Sequence, residues 1–533
     1  MTVVSGVAEP VREPEESTGI PIGGRDTTAW WLALVAAIVS IASTVYFFAK
    51  GDLLLYEDAI SHLQIAHRVL FSPTTGPVQL GYAWLPLPHI LMLPFVWINS
   101  LYFDGLAGSF TSMASYVIAS VLIYKIVLRL TRGNKAAALV GAFVFMANPN
   151  VLYMQSLPMT ELLFYATILG GIYGLQCWAE TEKKSYLFGG CFSLVLATLT
   201  RYEAWVLAAA LFAVVVHTCL HRHYSWVKLK AIVLVTSATT FVGVLLWIAW
   251  SEFYFGNPLA FYDGKYTNPD ISVKPNNEQL HHFVVSLKTY LYAIDDNLHP
   301  LVIGLALAGL LVLLIRLRLS PESLPTLATL VFVPFYVLGL YEGQRPMGVT
   351  QFGGGLLNVR YGLVMVLPAA ILAGYLVSTF TRTVLFRVAL GVACVVLAGS
   401  FTYEGFQRID TNIATVQEPL NIANTRGGLV QRFADAGAFL RRHYTGGLIL
   451  EQEWGSQEVL FDARISTQEN VYEGSYNLWA AALEDPARSH IKWIVMRMDD
   501  WGDQVFTTLH DSSRLKPYKL VYDRHGYRIY ERS

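Results

Sequence analysis

Long apolar stretches separated by short polar turns set the pattern of most of this chain. Runs near the ~20 residues that a helix needs to cross a bilayer fall at 29–49, 108–128, 136–153, 160–178, 186–200, 204–220, 231–251, 299–315, 324–341, 360–379 and 384–401. They predict about eleven transmembrane helices, several joined by very short connections. A further apolar run, "WLPLPHILMLPFVWI" (84–98), carries three prolines and is too short for a regular span. Just before it, "DAISHLQIAHRVL" places Ala59, Leu63, Ala66 and Leu70 at the spacing of a helix lying flat on a membrane.

The basic turns assign the sides. With eleven spans, "RLTRGNK" (129–135), "EKK" (182–184), "HRHYSWVKLK" (221–230), "RLRL" (316–319) and "TRTVLFR" (381–387) all fall on one face, which the positive-inside rule makes cytoplasmic. The opposite face then carries the long connections 50–107 and 252–298, the Gly-rich loop 342–358, and the tail 402–533. In that tail a helical run (427–444) alternates with the strand-like "GLILEQ", "KWIVMRM", "KLVYD" and "YRIYER", the last two joined by a hairpin turn at Arg524 to Gly526. The expected fold is a polytopic α-helical membrane protein, its transmembrane domain at 29–401, with a C-terminal soluble α/β domain at 402–533 outside the cytoplasm. Residues 1–28, rich in Pro, Glu, Ser, Gly and Arg, read as a disordered cytoplasmic tail ahead of a retained first span.

Composition agrees with the pattern: 54% of the 533 residues are hydrophobic and 14% charged. A net charge of −1 offers nothing to neutralise a nucleic acid backbone. Cys177, Cys191, Cys219 and Cys394 all lie in apolar runs without CxxC spacing, so neither a zinc site nor a disulfide framework is indicated. No Walker loop or dinucleotide fingerprint is present.

Sorted by side, the unusual polar residues gather at the outer ends of the spans. Glu57, Asp58 and His62 follow the first span, and His89 sits in the interfacial run. Glu161 opens the fourth span, Arg201, Tyr202 and Glu203 fill the turn "LTRYEAW", and Arg360 and Tyr361 begin the tenth span in "LNVRYGL". Ionisable groups at a bilayer edge are costly unless paired or functional. Here carboxylates able to take a proton or hold a divalent metal stand with arginines able to grip a phosphate. Plainer roles exist for each. Glu57 and Asp58 suit a helix N-terminus, Arg201 and Glu203 suit a structural ion pair, Arg360 suits a headgroup contact, and His89 suits a backbone carbonyl.

The acidic pair of the first outer loop, the later Glu161, the "RYE" turn and "NVRYGL" followed by "LP" resemble the pattern of the C-superfamily (GT-C) membrane glycosyltransferases. That superfamily includes aminoarabinose transferases and protein O-mannosyltransferases. The resemblance spans roughly residues 29–400 and rests on short motifs. It implies transfer of a sugar from a polyprenyl-phosphate donor to a hydroxyl or amine of a lipid, glycan or protein acceptor, with inversion, outside the cytoplasm. Asp58 would be the catalytic base and Glu57 its supporting carboxylate. Arg201, Arg360 and His89 would hold the donor phosphate, and Glu161, His62, Tyr202, Glu203 and Tyr361 would line the pocket. No cofactor is required by the sequence; a divalent metal is admitted, with Asp58 and Glu161 as its ligands. The competing reading is a lipid or solute transporter of the cell envelope, although no internal repeat supports it.

Overall fold

The computed structural model describes residues 26–265, 267, 278–353, 355–379, 383–407, 413–425, 429–498 and 502–533; most of the stretch read as a disordered tail lies outside them. The first span is helix α1 (Thr27–Lys50), started by the Asp26 side chain and stopped by Gly51 in the left-handed conformation. Among the described residues, seven helices are long and apolar enough to cross a membrane: Thr27–Lys50, Leu106–Leu130, Glu161–Thr181, Glu203–His221, Leu324–Tyr341, Val359–Thr379 and Val384–Gln407. The chain is a multi-pass helical membrane protein.

The other expected spans are built differently. The run at 136–153 divides into Lys135–Met146 and Pro149–Met154, because Asn148 caps a new helix and Pro149 occupies its first turn. Lys184–Thr198 has only 15 residues. Trp226–Thr240 and Val242–Phe255 meet at a 43° bend, where Gly243 lets the chain approach Thr198 closely. Phe283–Asn297 and Pro300–Arg316 meet at 110°, with His299 and Pro300 starting the second helix.

In the connection that follows the first span lie α2 (Glu57–Leu70) and α3 (Leu87–Val96). At a rise of about 1.5 Å per residue, α3 measures roughly 15 Å, half a hydrocarbon core. Helices inside the bundle approach one another over glycines. A Cβ on Gly309 would lie 2.2 Å from the Leu372 carbonyl oxygen, and one on Gly174 2.6 Å from the Gly190 Cα, the close contact that small residues permit between spans.

The C-terminal domain carries a five-stranded sheet of order β2-β1-β3-β5-β4. Its strands are β1 (Leu448–Leu450), β2 (Asn470–Val471), β3 (Ile491–Arg497), β4 (Tyr518–Arg524) and β5 (Tyr527–Arg532). β1 runs parallel to both neighbours, and β5 runs antiparallel to β3 and β4. Alternation along β3 sends Trp493 and Val495 to one apolar layer and Ile494 and Met496 to the other. All four strand-like runs of the sequence lie in this sheet; the two-residue β2 is the addition. Residues 413–425, assigned by sequence to the soluble tail, instead return to the membrane half, where Ile413, Ala414 and Val416 join its core.

Candidate active site

Four helix N-termini meet at one end of the bundle. Asp58 stands in the first turn of α2, Glu161 opens Glu161–Thr181, and Glu203 opens Glu203–His221. Each carboxylate therefore sits where the helix dipole favours negative charge. Arg360 is the exception. It is the second residue of Val359–Thr379, where that helix's own dipole disfavours a cation, so its charge needs anionic neighbours.

The neighbours are present. The Arg360 guanidinium donates to Asp58 and lies 3.4 Å from Glu161 and 3.7 Å from Glu418. Arg201 donates to Glu161 (2.8 Å), to Glu203 (2.8 Å) and to the Thr160 hydroxyl (2.9 Å). Glu203 also accepts from Tyr336 at 2.6 Å and faces Arg345 at 3.7 Å. Around the ring of Tyr361 the three guanidinium carbons stand 5.6, 5.9 and 5.6 Å from its centroid, for Arg201, Arg345 and Arg360. Tyr361 itself stacks on Tyr336 at 5.3 Å.

Burial sorts the network. The side chains of Glu161 and Glu203 are almost sealed, whereas that of Asp58 is 37% exposed, so Asp58 is the carboxylate an incoming molecule can reach. Desolvation opposes its ionised form, but Arg360, His62 and Arg201 hold it below the usual carboxylate range. One oxygen of Glu161, Oε2, is buried without a hydrogen-bond partner among the described residues.

The remaining candidates take other places. Glu57 is half-buried at the first position of α2. His62 and His89 share a 2.9 Å hydrogen bond between Nδ1 and Nε2, with Trp84 packed on His62. Burial pushes His62 down to about 4. His89, expected at the donor phosphate, is fully enclosed behind His62, so in this arrangement it presents no face to a ligand. Tyr202, expected in the pocket, is a strut: its hydroxyl donates to the Ala83 carbonyl (3.1 Å) and accepts from Trp247 (3.1 Å).

The backbone path of these helices can be compared with solved structures. ArnT from Cupriavidus metallidurans is similar over 95% of this chain and 98% of its own, at 12% identity. Its TM-score is 0.57 in the apo state and 0.53 bound to undecaprenyl phosphate. The chain shares the fold of this structure. An oligosaccharyltransferase of Archaeoglobus fulgidus, tethered to an acceptor peptide with the NVT sequon, is similar over 89% of this chain and 69% of its own, at 11% identity and a TM-score of 0.48. No sequence-family profile and no curated protein matches the chain.

Within this fold, two charged members of the network escaped sequence reasoning. Glu418 comes from the segment read as soluble tail and accepts from the backbone N–H groups of Asn358 (2.8 Å) and Arg360 (3.4 Å). Arg345 comes from the Gly-rich loop read as a connector. Its signal was modest: a single cation between two long apolar helices. The expected metal pair fares differently. Among the described residues no group of three His, Cys, Asp or Glu side chains is arranged to hold an ion. Arg360 bridges Asp58 and Glu161, so that donor set forms an ion-pair network and does not fit a metal cage.

Proposed function

We propose that this chain is an integral membrane glycosyltransferase that moves a sugar from a polyprenyl-phosphate donor to an acceptor hydroxyl or amine at the extracytoplasmic face, with inversion. The observation that carries this reading is the contact of Arg360 with both Asp58 and Glu161, from helices far apart in sequence, in a chain of GT-C fold. The ionised Asp58 takes the acceptor's proton while the acceptor attacks the anomeric carbon. The bond from that carbon to the phosphate oxygen breaks, and the electron pair leaves with the polyprenyl phosphate.

Charge balance gives the arginines their parts. Arg201, Arg345 and Arg360 supply three positive charges against the four negative charges of Asp58, Glu161, Glu203 and Glu418. Arg345 is the least committed, since its contact with Glu203 is 3.7 Å, and it is the first cation available to a phosphate. When the phosphate also draws Arg360 away from Asp58, the carboxylate loses the cation that depresses its basicity. Donor arrival thus readies the base, and the freed guanidinium stabilises the leaving group.

The test is the purified protein in liposomes with a panel of undecaprenyl-phosphate monosaccharides and envelope lipids as acceptor, read by mass spectrometry of released undecaprenyl phosphate. Release by the native chain, reduced about 100-fold or more in Asp58→Asn, supports the reading. Failure to release from any donor, or equal release by Asp58→Asn, overturns it. Donor crossing the bilayer with its glycosidic bond intact would speak for a transporter instead.

A further inference from the structure

The helix that carries Asp58 is gripped at its other end by the C-terminal domain. Gln64 Nε2 donates to the Gln457 carbonyl (2.8 Å), and His67 Nδ1 pairs with the Thr467 hydroxyl (2.6 Å). Arg68 forms an ion pair with Glu453 and lies 4.4 Å from the centre of the Tyr472 ring. Both charged side chains are only 8% exposed. Arg68 is ten residues beyond Asp58, roughly 15 Å along the helix at 1.5 Å per residue. At about 100° per residue, Gln64, His67 and Arg68 project about 120°, 180° and 80° round α2 from Asp58. The first turn of the helix meets the ion network and its later turns meet the domain.

The domain's half of the grip is built for firmness. Glu453 follows β1 by three residues, at the carboxyl end of the parallel strands. The chain runs from β1 to β2 on one side and returns to β3 on the other. That end of such a sheet is where ligands ordinarily settle; here it faces α2. The backbone N–H groups of Glu453 and Trp454 donate to the Glu473 carboxylate (2.8 and 2.7 Å), which fixes the loop. Tyr472, beneath Arg68, donates to Gln79 (2.5 Å), and Gln79 donates to the Gly474 carbonyl (3.1 Å). The first outer connection is therefore held at α2 and again beyond it.

We propose that the C-terminal domain holds Asp58 in register through α2, with Arg68 and Glu453 as positioning residues for transfer. This rests on the reading of Asp58 as the base. A helix is stiff over four turns, so movement at Arg68 carries to Asp58, and a displacement near 1 Å at a reacting group costs on the order of 100-fold in rate.

The experiment uses the full chain in liposomes with Arg68→Met, Arg68→Lys, Glu453→Gln and Asp58→Asn. Two quantities are read: amide hydrogen exchange over residues 57–63, and release of undecaprenyl phosphate from the undecaprenyl-phosphate monosaccharide that the native chain uses. Arg68→Met and Glu453→Gln are expected to raise exchange at 57–63 by tenfold or more and to lower kcat about tenfold to 100-fold with donor KM unchanged. Arg68→Lys should recover most of both. Exchange in β3 and β5 at the native level marks the domain as folded; if Arg68→Met alone loses it, Glu453→Gln decides. Native kcat in these variants overturns the proposal, whether or not exchange rises. Undiminished transfer by Asp58→Asn instead overturns the assignment of the base, and the exchange result then reports separately on whether the domain grips α2.

Discussion

Replacing Arg360 by methionine removes the cation that touches three carboxylates. The side chains involved are 6% exposed for Arg360, 3% for Glu161 and 1% for Glu418, so water cannot take over its role. Taking one partner from a buried pair costs about 3–5 kcal/mol. Two features of the site place the loss near the lower end of that range. Glu161 keeps Arg201 at 2.8 Å, and Glu418 keeps the N–H group of Asn358 at 2.8 Å and that of residue 360 at 3.4 Å. Arg360→Met should therefore destabilise by about 3 kcal/mol. Adding Glu418→Gln to it should cost less than Glu418→Gln does alone, because the carboxylate being neutralised has already lost its cation. The coupling between the two changes should be about 1–3 kcal/mol. The assay is the thermal unfolding midpoint of the detergent-purified protein and both single variants, closed into a cycle by the double variant. An Arg360→Met midpoint within a degree of the native one would refute the reasoning, as would a double variant whose loss equals the sum of the singles.

Three further outcomes are expected. Arg345→Ala should raise the donor KM at least tenfold while the unfolding midpoint moves little, since Arg345 meets Glu203 only at 3.7 Å and Glu203 keeps Arg201 at 2.8 Å; an unchanged KM for the undecaprenyl-phosphate sugar would remove Arg345 from donor binding. Gly309→Ala should force Pro300–Arg316 away from Leu372 and destabilise by about 1–3 kcal/mol, as overpacking does, because its Cβ would lie 2.2 Å from a carbonyl oxygen that cannot rotate aside; a native unfolding midpoint would contradict the close approach. Glu473 is pushed up to about 7 by burial and by the charge of Glu453. Its raised value means that the folded protein keeps a proton the unfolded chain has lost, so stability falls as pH rises from about 4.5 to 7 and is level above that. Glu453, Glu451 and Asp503 nearby are shifted the same way by burial. The contribution of half-buried Glu473 is at most about 3 kcal/mol, and Glu473→Gln should flatten the slope of midpoint against pH across that window.

What the sequence revealed follows from contrast. Asp58, Glu161, Arg201, Glu203 and Arg360 interrupt apolar runs, where any charge stands out, and the structure gathers all five. Glu418 and Arg345 belong to the same network but lie in segments polar enough to make a charge look ordinary. The same logic explains the spans. Apolar length locates a helix in the bundle, but it does not report a cap at Asn148, a bend at Phe241 or a helix of 15 residues. His89 and Tyr202 show the converse error: each stood out by residue type, and each is consumed by a local bond, to His62 in one case and to Ala83 and Trp247 in the other.

The hidden pair changes the picture of the site without changing its charge. The visible residues are three acids and two bases; adding Glu418 and Arg345 gives four and three, so either set carries one negative charge in excess. A phosphate does not enter such a site by simple attraction, because Arg201 and Arg360 are already occupied. It has to compete with a carboxylate for a guanidinium, and Asp58 is the most exposed of the four carboxylates in this network. The displaced partner is therefore the one group that the proposed reaction needs unpaired. On that reading, the acid excess that would be a flaw in a plain phosphate-binding site links the binding of donor to the release of base.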